Sequence, residues 1–156
     1  MVLLIVSGVA ITVNAQGTTT ANCKAVHASM VEQRVTVGCK PGHDFCFLGE
    51  VTGNHGLRGT TYFKGDGAGT RPGPSPDFLP YTGVFEYHTE AGSLTIRETG
   101  VSNTSQGKPE SGAITAFQTI TEATGGLPGA TGYFFVNGFN RGGRIETSVT
   151  GEICLP

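Results

Sequence analysis

Residues 84 to 98, VFEYHTEAGSLTIRE, place three acids, a histidine and an arginine within one candidate hairpin. Side chains alternate between the two faces of a strand, so parity decides which of these groups share an environment. With Ala91 and Gly92 as the central turn residues, Glu90 is expected opposite Ser93, His88 opposite Thr95, Glu86 opposite Arg97 and Phe85 opposite Glu98. One face then carries Glu86, His88, Glu90, Thr95 and Arg97, a solvated set with a cross-strand ion pair between Glu86 and Arg97. The other carries Phe85, Tyr87, Leu94, Ile96 and, by the same parity, Glu98. A carboxylate among apolar side chains is costly unless hydrogen-bonded, and desolvation raises its pKa into a range useful for proton transfer. Glu98 lies near a strand end, which favours the rim, where it reaches bulk water. An interior position would make it a catalytic acid/base candidate.

Two amides extend the set of candidate ligand-binding residues beyond Phe85, Tyr87 and Ile96. Gln118 shares an apolar-leaning face with Ile114, Ala116 and Ile120. Asn137 shares a face with Tyr133, Phe135 and Phe139, while Phe134 and Val136 share the opposite one, so either side of that strand could be inward. A buried amide needs a partner, and a ligand can serve. Cys39, His43 and Cys46 are the right types for a soft metal, but their spacing is not a usual zinc pattern and no fourth ligand lies nearby, so no metal is expected. No Gly-x-Ser-x-Gly elbow supports hydrolase chemistry.

The four cysteines are instead expected to form two disulfides, and of the three possible pairings Cys39 with Cys46 and Cys23 with Cys154 is favoured. The first closes the loop around KPGHDF. The second ties the chain ends, a constraint of roughly 4 kcal/mol in the chain-entropy view. Oxidation fits a secreted, extracellular protein, and MVLLIVSGVAITVNA at 1–15 has the apolar run and small-residue end of a signal peptide, too short to span a bilayer comfortably. No membrane association is expected after its removal. A net charge of −2 with scattered Lys and Arg argues against nucleic acid as a partner.

The elements that must position these residues have a period of two almost everywhere. Strands are expected at 31–39, 46–52, 56–64, 81–90, 93–100, 112–121, 132–139 and 143–154, separated by Gly, Asn and Pro turn signals. Residues 16–30 read as an N-terminal extension, with a weak helix over 21–30. The Gly- and Pro-rich stretch 64–80 reads as a long loop, either disordered or a lid closing through Phe78 and Leu79. Eight short antiparallel strands in residues 31–156 predict an all-β domain. An up-and-down β-barrel hides its edges most completely, and a β-sandwich is the alternative.

The order of these elements, FLGEVTGNHGLRGT, the glycine-rich turn TGGLPGATGYFFVNG and the terminal VTGEICLP together resemble secreted bacterial proteins with an allene oxide cyclase barrel-like fold, themselves similar to plant dirigent proteins. The resemblance covers residues 31–156. It implies an eight-stranded barrel with an apolar interior able to hold a small molecule, and, in some members, ring closure or coupling steered without metal or organic cofactor. Three functions follow as expectations: interior binding of a small apolar or amphipathic molecule, a cofactor-independent isomerase or cyclase using Glu98, or a structural or surface-interaction domain. The oligomeric state is left open.

Overall fold

The computed structural model describes residues 22–71, 73, 77–103 and 111–156; the expected signal peptide lies outside them. The described chain is eight strands and no helix: β1 (Asn22–Val35), β2 (Cys46–Gly53), β3 (Arg58–Ala68), β4 (Phe78–Thr89), β5 (Gly92–Asn103), β6 (Ser111–Ala123), β7 (Thr131–Arg141) and β8 (Arg144–Leu155). Every neighbouring pair is antiparallel, and β1 pairs with both β2 and β8, so the sheet closes as an up-and-down barrel. Closure leaves no long unpaired edge, the constraint that made the barrel preferable to a sandwich.

β1 begins at Asn22, so the stretch expected as a helix within an N-terminal extension is instead strand. Its residues contain helix formers such as Ala25, Ala28 and Met30, but intrinsic preference is weak beside two ladders. Asn22–Gln33 pairs with Leu155–Arg144 on one side, and Ala28–Val35 pairs with Gly53–Cys46 on the other. Val26 and Met30 are buried on its inner face.

The 64–80 stretch also differs from expectation. Gly65, Gly67 and Ala68 extend β3 and pair with Gly83, Thr82 and Tyr81, with a bulge at Asp66. The bulge absorbs one residue, and Asp66 is held outside by Arg97 Nη2 at 3.0 Å and by the Thr82 hydroxyl at 2.9 Å. Phe78 and Leu79 belong to β4 rather than to a lid; residues 72 and 74–76 lie outside the described chain.

The hairpin turn sits one residue earlier than expected, with Thr89 opposite Gly92. Each partner therefore moves by two positions: Phe85 faces Ile96, Glu86 faces Thr95 and Gly83 faces Glu98. A shift of two keeps every side chain on its face, so the parity assignment survives while the pairs do not. Glu86 is bridged by Lys40 and His88 rather than by Arg97, which pairs with Asp66.

Both expected disulfides are present, Cys23–Cys154 and Cys39–Cys46, so the sulfurs weighed as zinc ligands are joined to each other. Cys23 and Cys154 are register partners across the β1–β8 seam, and their bond clamps the closure near the start of β1 and the end of β8. Replacing both by alanine (C23A/C154A) is expected to lower unfolding free energy by about 2–4 kcal/mol, because a loop spanning most of the barrel is released in the unfolded chain. Urea unfolding with and without the pair measures this; an unchanged midpoint would show that the seam holds without its clamp.

Candidate functional site

The barrel interior has two unequal halves. At one end Leu57, Leu127 and Ala130 from the connecting turns close over Val26, Leu94 and Ile153, all buried in one apolar cluster. Above them lie Phe85, Tyr87 and Phe134, with ring centroids 4.8 Å (Phe85–Tyr87) and 5.8 Å (Tyr87–Phe134) apart. Ring contacts continue through Phe63 and Phe47 to Phe45 at the opposite end. There packing stops, and a cavity of about 890 Å³ opens, with Phe45, Phe47, Phe63 and Tyr81 among its walls and Glu32 and Glu98 among its polar groups. Its size suits a small organic molecule.

Glu98 is interior, 4% exposed, which settles the question of rim or depth. Its Oε1 accepts a hydrogen bond from the Tyr81 hydroxyl at 2.9 Å, and its Oε2 accepts one from Gln118 Nε2 at 2.6 Å. Tyr87 in turn donates to Gln118 Oε1 at 2.7 Å, which orients the amide so that its NH₂ points at the carboxylate. The register builds this chain of contacts. Glu98 on β5 is the cross-strand partner of Gln118 on β6, and Gly100, two residues further on, leaves the space Tyr81 needs. A Cβ at Gly100 would lie 2.5 Å from the Tyr81 hydroxyl and ring.

A second acid, Glu32 on β1, is also buried, at 6% exposure. It fits because its partner on β2 is Gly49, where a Cβ would come within 2.7 Å of both Glu32 Cγ and the Thr61 hydroxyl. Among the described residues, Glu32 Oε1, Asn103 Oδ1 and the hydroxyls of Thr61 and Thr147 are buried without a hydrogen-bond partner. Burial, followed by the charge on Glu98, pushes Glu32 from the ordinary glutamate value of 4.5 up to about 8. Burial also raises Glu98, but the bonds from Gln118 and Tyr81 oppose it. Glu98 is therefore the acid better able to stay ionised, and Glu32 the one that holds a proton at neutral pH. Burial and the neighbouring carboxylates push the Tyr81 and Tyr87 phenols up, so both remain donors.

The other sequence candidates fall in three places. Phe85, Tyr87, Ile96 and Gln118 are fully buried but pack beneath the cavity rather than along its wall. Asn137 lies on the exposed outer face, where its Oδ1 accepts from the Thr115 hydroxyl at 3.1 Å, because Phe134 and Val136 take the interior of β7. Tyr133, Phe135 and Phe139 are exposed with it, beside Phe117 of β6, so this strand carries large apolar side chains on both faces.

Glu32, Tyr81 and Thr147 were not among the sequence candidates. Val31, Val35 and Val37 alternate with Glu32 and outvote it, yet Val37 is 82% exposed and the true apolar face runs through Val26 and Met30. Reading the strand from Asn22 onward would have put Glu32 in line with them. No family model, curated protein or solved structure matches the chain, so the site stands on its geometry alone.

Glu32 makes stability depend on pH. A folded value raised above the unfolded one means the folded chain binds more protons between the two, so stability is full below about pH 4.5 and is lost as pH rises through about 8. The urea midpoint is expected to fall from pH 5 to pH 8, and Glu32→Gln to flatten that fall. An equally steep decline in the variant would assign it elsewhere.

Proposed function

We propose that this protein binds a small amphipathic molecule inside its barrel. The observation that carries the reading is the cavity of about 890 Å³, walled by aromatic rings and reaching two buried acids. A stable core needs neither the void nor the acids. Empty space forfeits packing contacts, and a buried unpaired acid costs free energy that an apolar residue would not. Both costs fall when a guest fills the space and meets the polar atoms. The two disulfides are compatible with work outside the cell, and secretion is part of the proposal.

A neutral lipophilic dye such as Nile red is expected to bind with a single site per chain and blue-shifted, enhanced emission. Ile114→Trp, which adds bulk to a wall residue of the cavity, is expected to weaken it at least about tenfold while leaving the urea midpoint nearly unchanged. Absence of saturable dye binding to the unaltered protein would remove the binding reading.

A second reading rests on the surroundings of Glu98. A carboxylate held between a phenol and an amide, at the wall of an apolar cavity, has the placement and the raised proton affinity of a general acid/base. This fits a cofactor-independent isomerase or cyclase, as the resemblance to allene oxide cyclase barrels implies. Mass spectrometry of small molecules extracted from protein purified out of its native host would identify a bound compound. If the second reading holds, the unaltered protein isomerises that compound, and Glu98→Gln binds it with at least about a hundredfold lower turnover. Equal turnover by the variant would remove Glu98 from the chemistry.

A further inference from the structure

The polar atoms that the cavity leaves without partners constrain what its guest must offer. Glu32 Oε1, Asn103 Oδ1 and the Thr147 hydroxyl are such atoms on the cavity wall: the amide oxygen only accepts, and the hydroxyl can accept as well as donate. Glu32 is the register partner of Gly49, Gly49 is the partner of Thr61, whose unpartnered hydroxyl lies behind Glu32 outside the cavity lining, and Thr147 lies opposite Met30, one inward position away from Glu32. The cavity wall carries two acids and a single basic side chain among the described residues, Arg34 at the mouth. Arg34 is exposed and lies over the Phe45 ring at 4.4 Å, where Lys64 also sits at 3.9 Å and donates to the Phe45 carbonyl. Neither basic group is hydrogen-bonded to Glu32 or Glu98. The Phe47, Phe63 and Tyr81 rings complete an acidic, aromatic enclosure, the surroundings that attract an organic cation through carboxylate contact and ring faces together.

Building on the interior-binding reading, we infer that the guest is a lipophilic amine: its ammonium group donates to the unpaired oxygen of Glu32 and to the Thr147 hydroxyl, and its apolar chain lies among the rings of the cavity. An ammonium supplies several N–H donors to a cluster rich in oxygen acceptors, and it compensates charge where two carboxyl groups share one desolvated space. A neutral alcohol supplies one donor and no charge. A fatty carboxylate would add a third acid to the two already present.

The binding step balances as a proton exchange. At neutral pH Glu32 holds a proton; on arrival of the ammonium it ionises, and that proton leaves to solvent while the amine keeps its own. The groups facing Glu32 are Glu98 on β5, Tyr81 and Tyr87 on β4, Thr61 on β3 and Thr147 on β8; Arg34 is at the rim of its own strand, and Glu50 and Arg144 border the outer hollow behind Gly49. Arg144 is held by Glu146, and the tyrosines stay neutral, so Glu32 is the group whose proton is exchanged.

Isothermal titration with octylamine, octanol and octanoate tests this on the intact, oxidised protein. Octylamine is expected to bind at least about tenfold tighter than either of the others. Titration in two buffers of different ionisation enthalpy is expected to show release of nearly one proton per amine at about pH 6.5 and much less at about pH 9, with affinity rising across that interval. Glu32→Gln is expected to lose the proton release and at least about tenfold of the amine affinity. Octanol or octanoate binding as tightly as octylamine, or amine binding without proton release in the unaltered protein, overturns the amine assignment. The proton measurement needs no variant, so a failure of Glu32→Gln to fold does not remove the test. Nile red reports separately whether the cavity takes any guest, which distinguishes the failure of this assignment from the failure of interior binding.

Discussion

Everything in this molecule depends on the pairing of its first strand with its last. β1 and β8 lie in register over twelve residue pairs, from Asn22–Leu155 to Gln33–Arg144, and that ladder turns an eight-stranded sheet with two sticky edges into a closed wall. The pairing is the most expensive in loop entropy, since it joins the ends of the described chain. A disulfide at its end, between partners Cys23 and Cys154, lessens that cost by constraining the unfolded chain. Closure also creates an inside, and so gives meaning to the side on which each residue of every strand falls.

That inside is used unevenly. The closed end is packed by aliphatic and aromatic side chains whose burial is the ordinary source of stability, while the other end forgoes packing for an open volume. Between them runs a layer of polar groups in which hydrogen bonds are made in order: Tyr87 fixes the amide of Gln118, Gln118 and Tyr81 fix Glu98, and Glu32 is left with an unpaired oxygen. The satisfied members hold one another, while Glu32 is coupled to them only through the charge on Glu98 in the same desolvated space. Two glycines make the layer geometrically feasible, Gly49 by giving space to Glu32 and Gly100 by giving space to Tyr81.

The outer surface answers to different physics. Glu86, Lys40 and His88 form one cluster, and Asp66 and Arg97 another, each between partially exposed groups whose attraction is weakened by water. The Cys39–Cys46 loop lies against Tyr62, whose hydroxyl takes a hydrogen bond from the Lys40 amide at 3.2 Å and contacts His43 Nδ1 at 2.6 Å, so the long β1–β2 connection is anchored rather than loose. That anchoring keeps Phe45 at the cavity mouth.

Local pattern by itself determined the all-β class, the eight strands and the apolar-side placement of Glu98 and Gln118, because alternation is a property of the chain and survives a register error of two; four cysteines left three pairings open, and the tertiary structure decided among them. It did not determine which face of β7 turns inward, where Phe134 and Tyr133 have equal claims by size, and so Asn137 was misplaced. Nor did it reveal β1 before Val31, whose strand character comes from partners more than a hundred residues away in β8 rather than from its own composition. Depth and neighbourhood belonged to the tertiary structure alone. Only the closed barrel brought Glu32 of β1 into the same desolvated space as Glu98 of β5, since electrostatic coupling depends on distance through space and on the water that closure excludes.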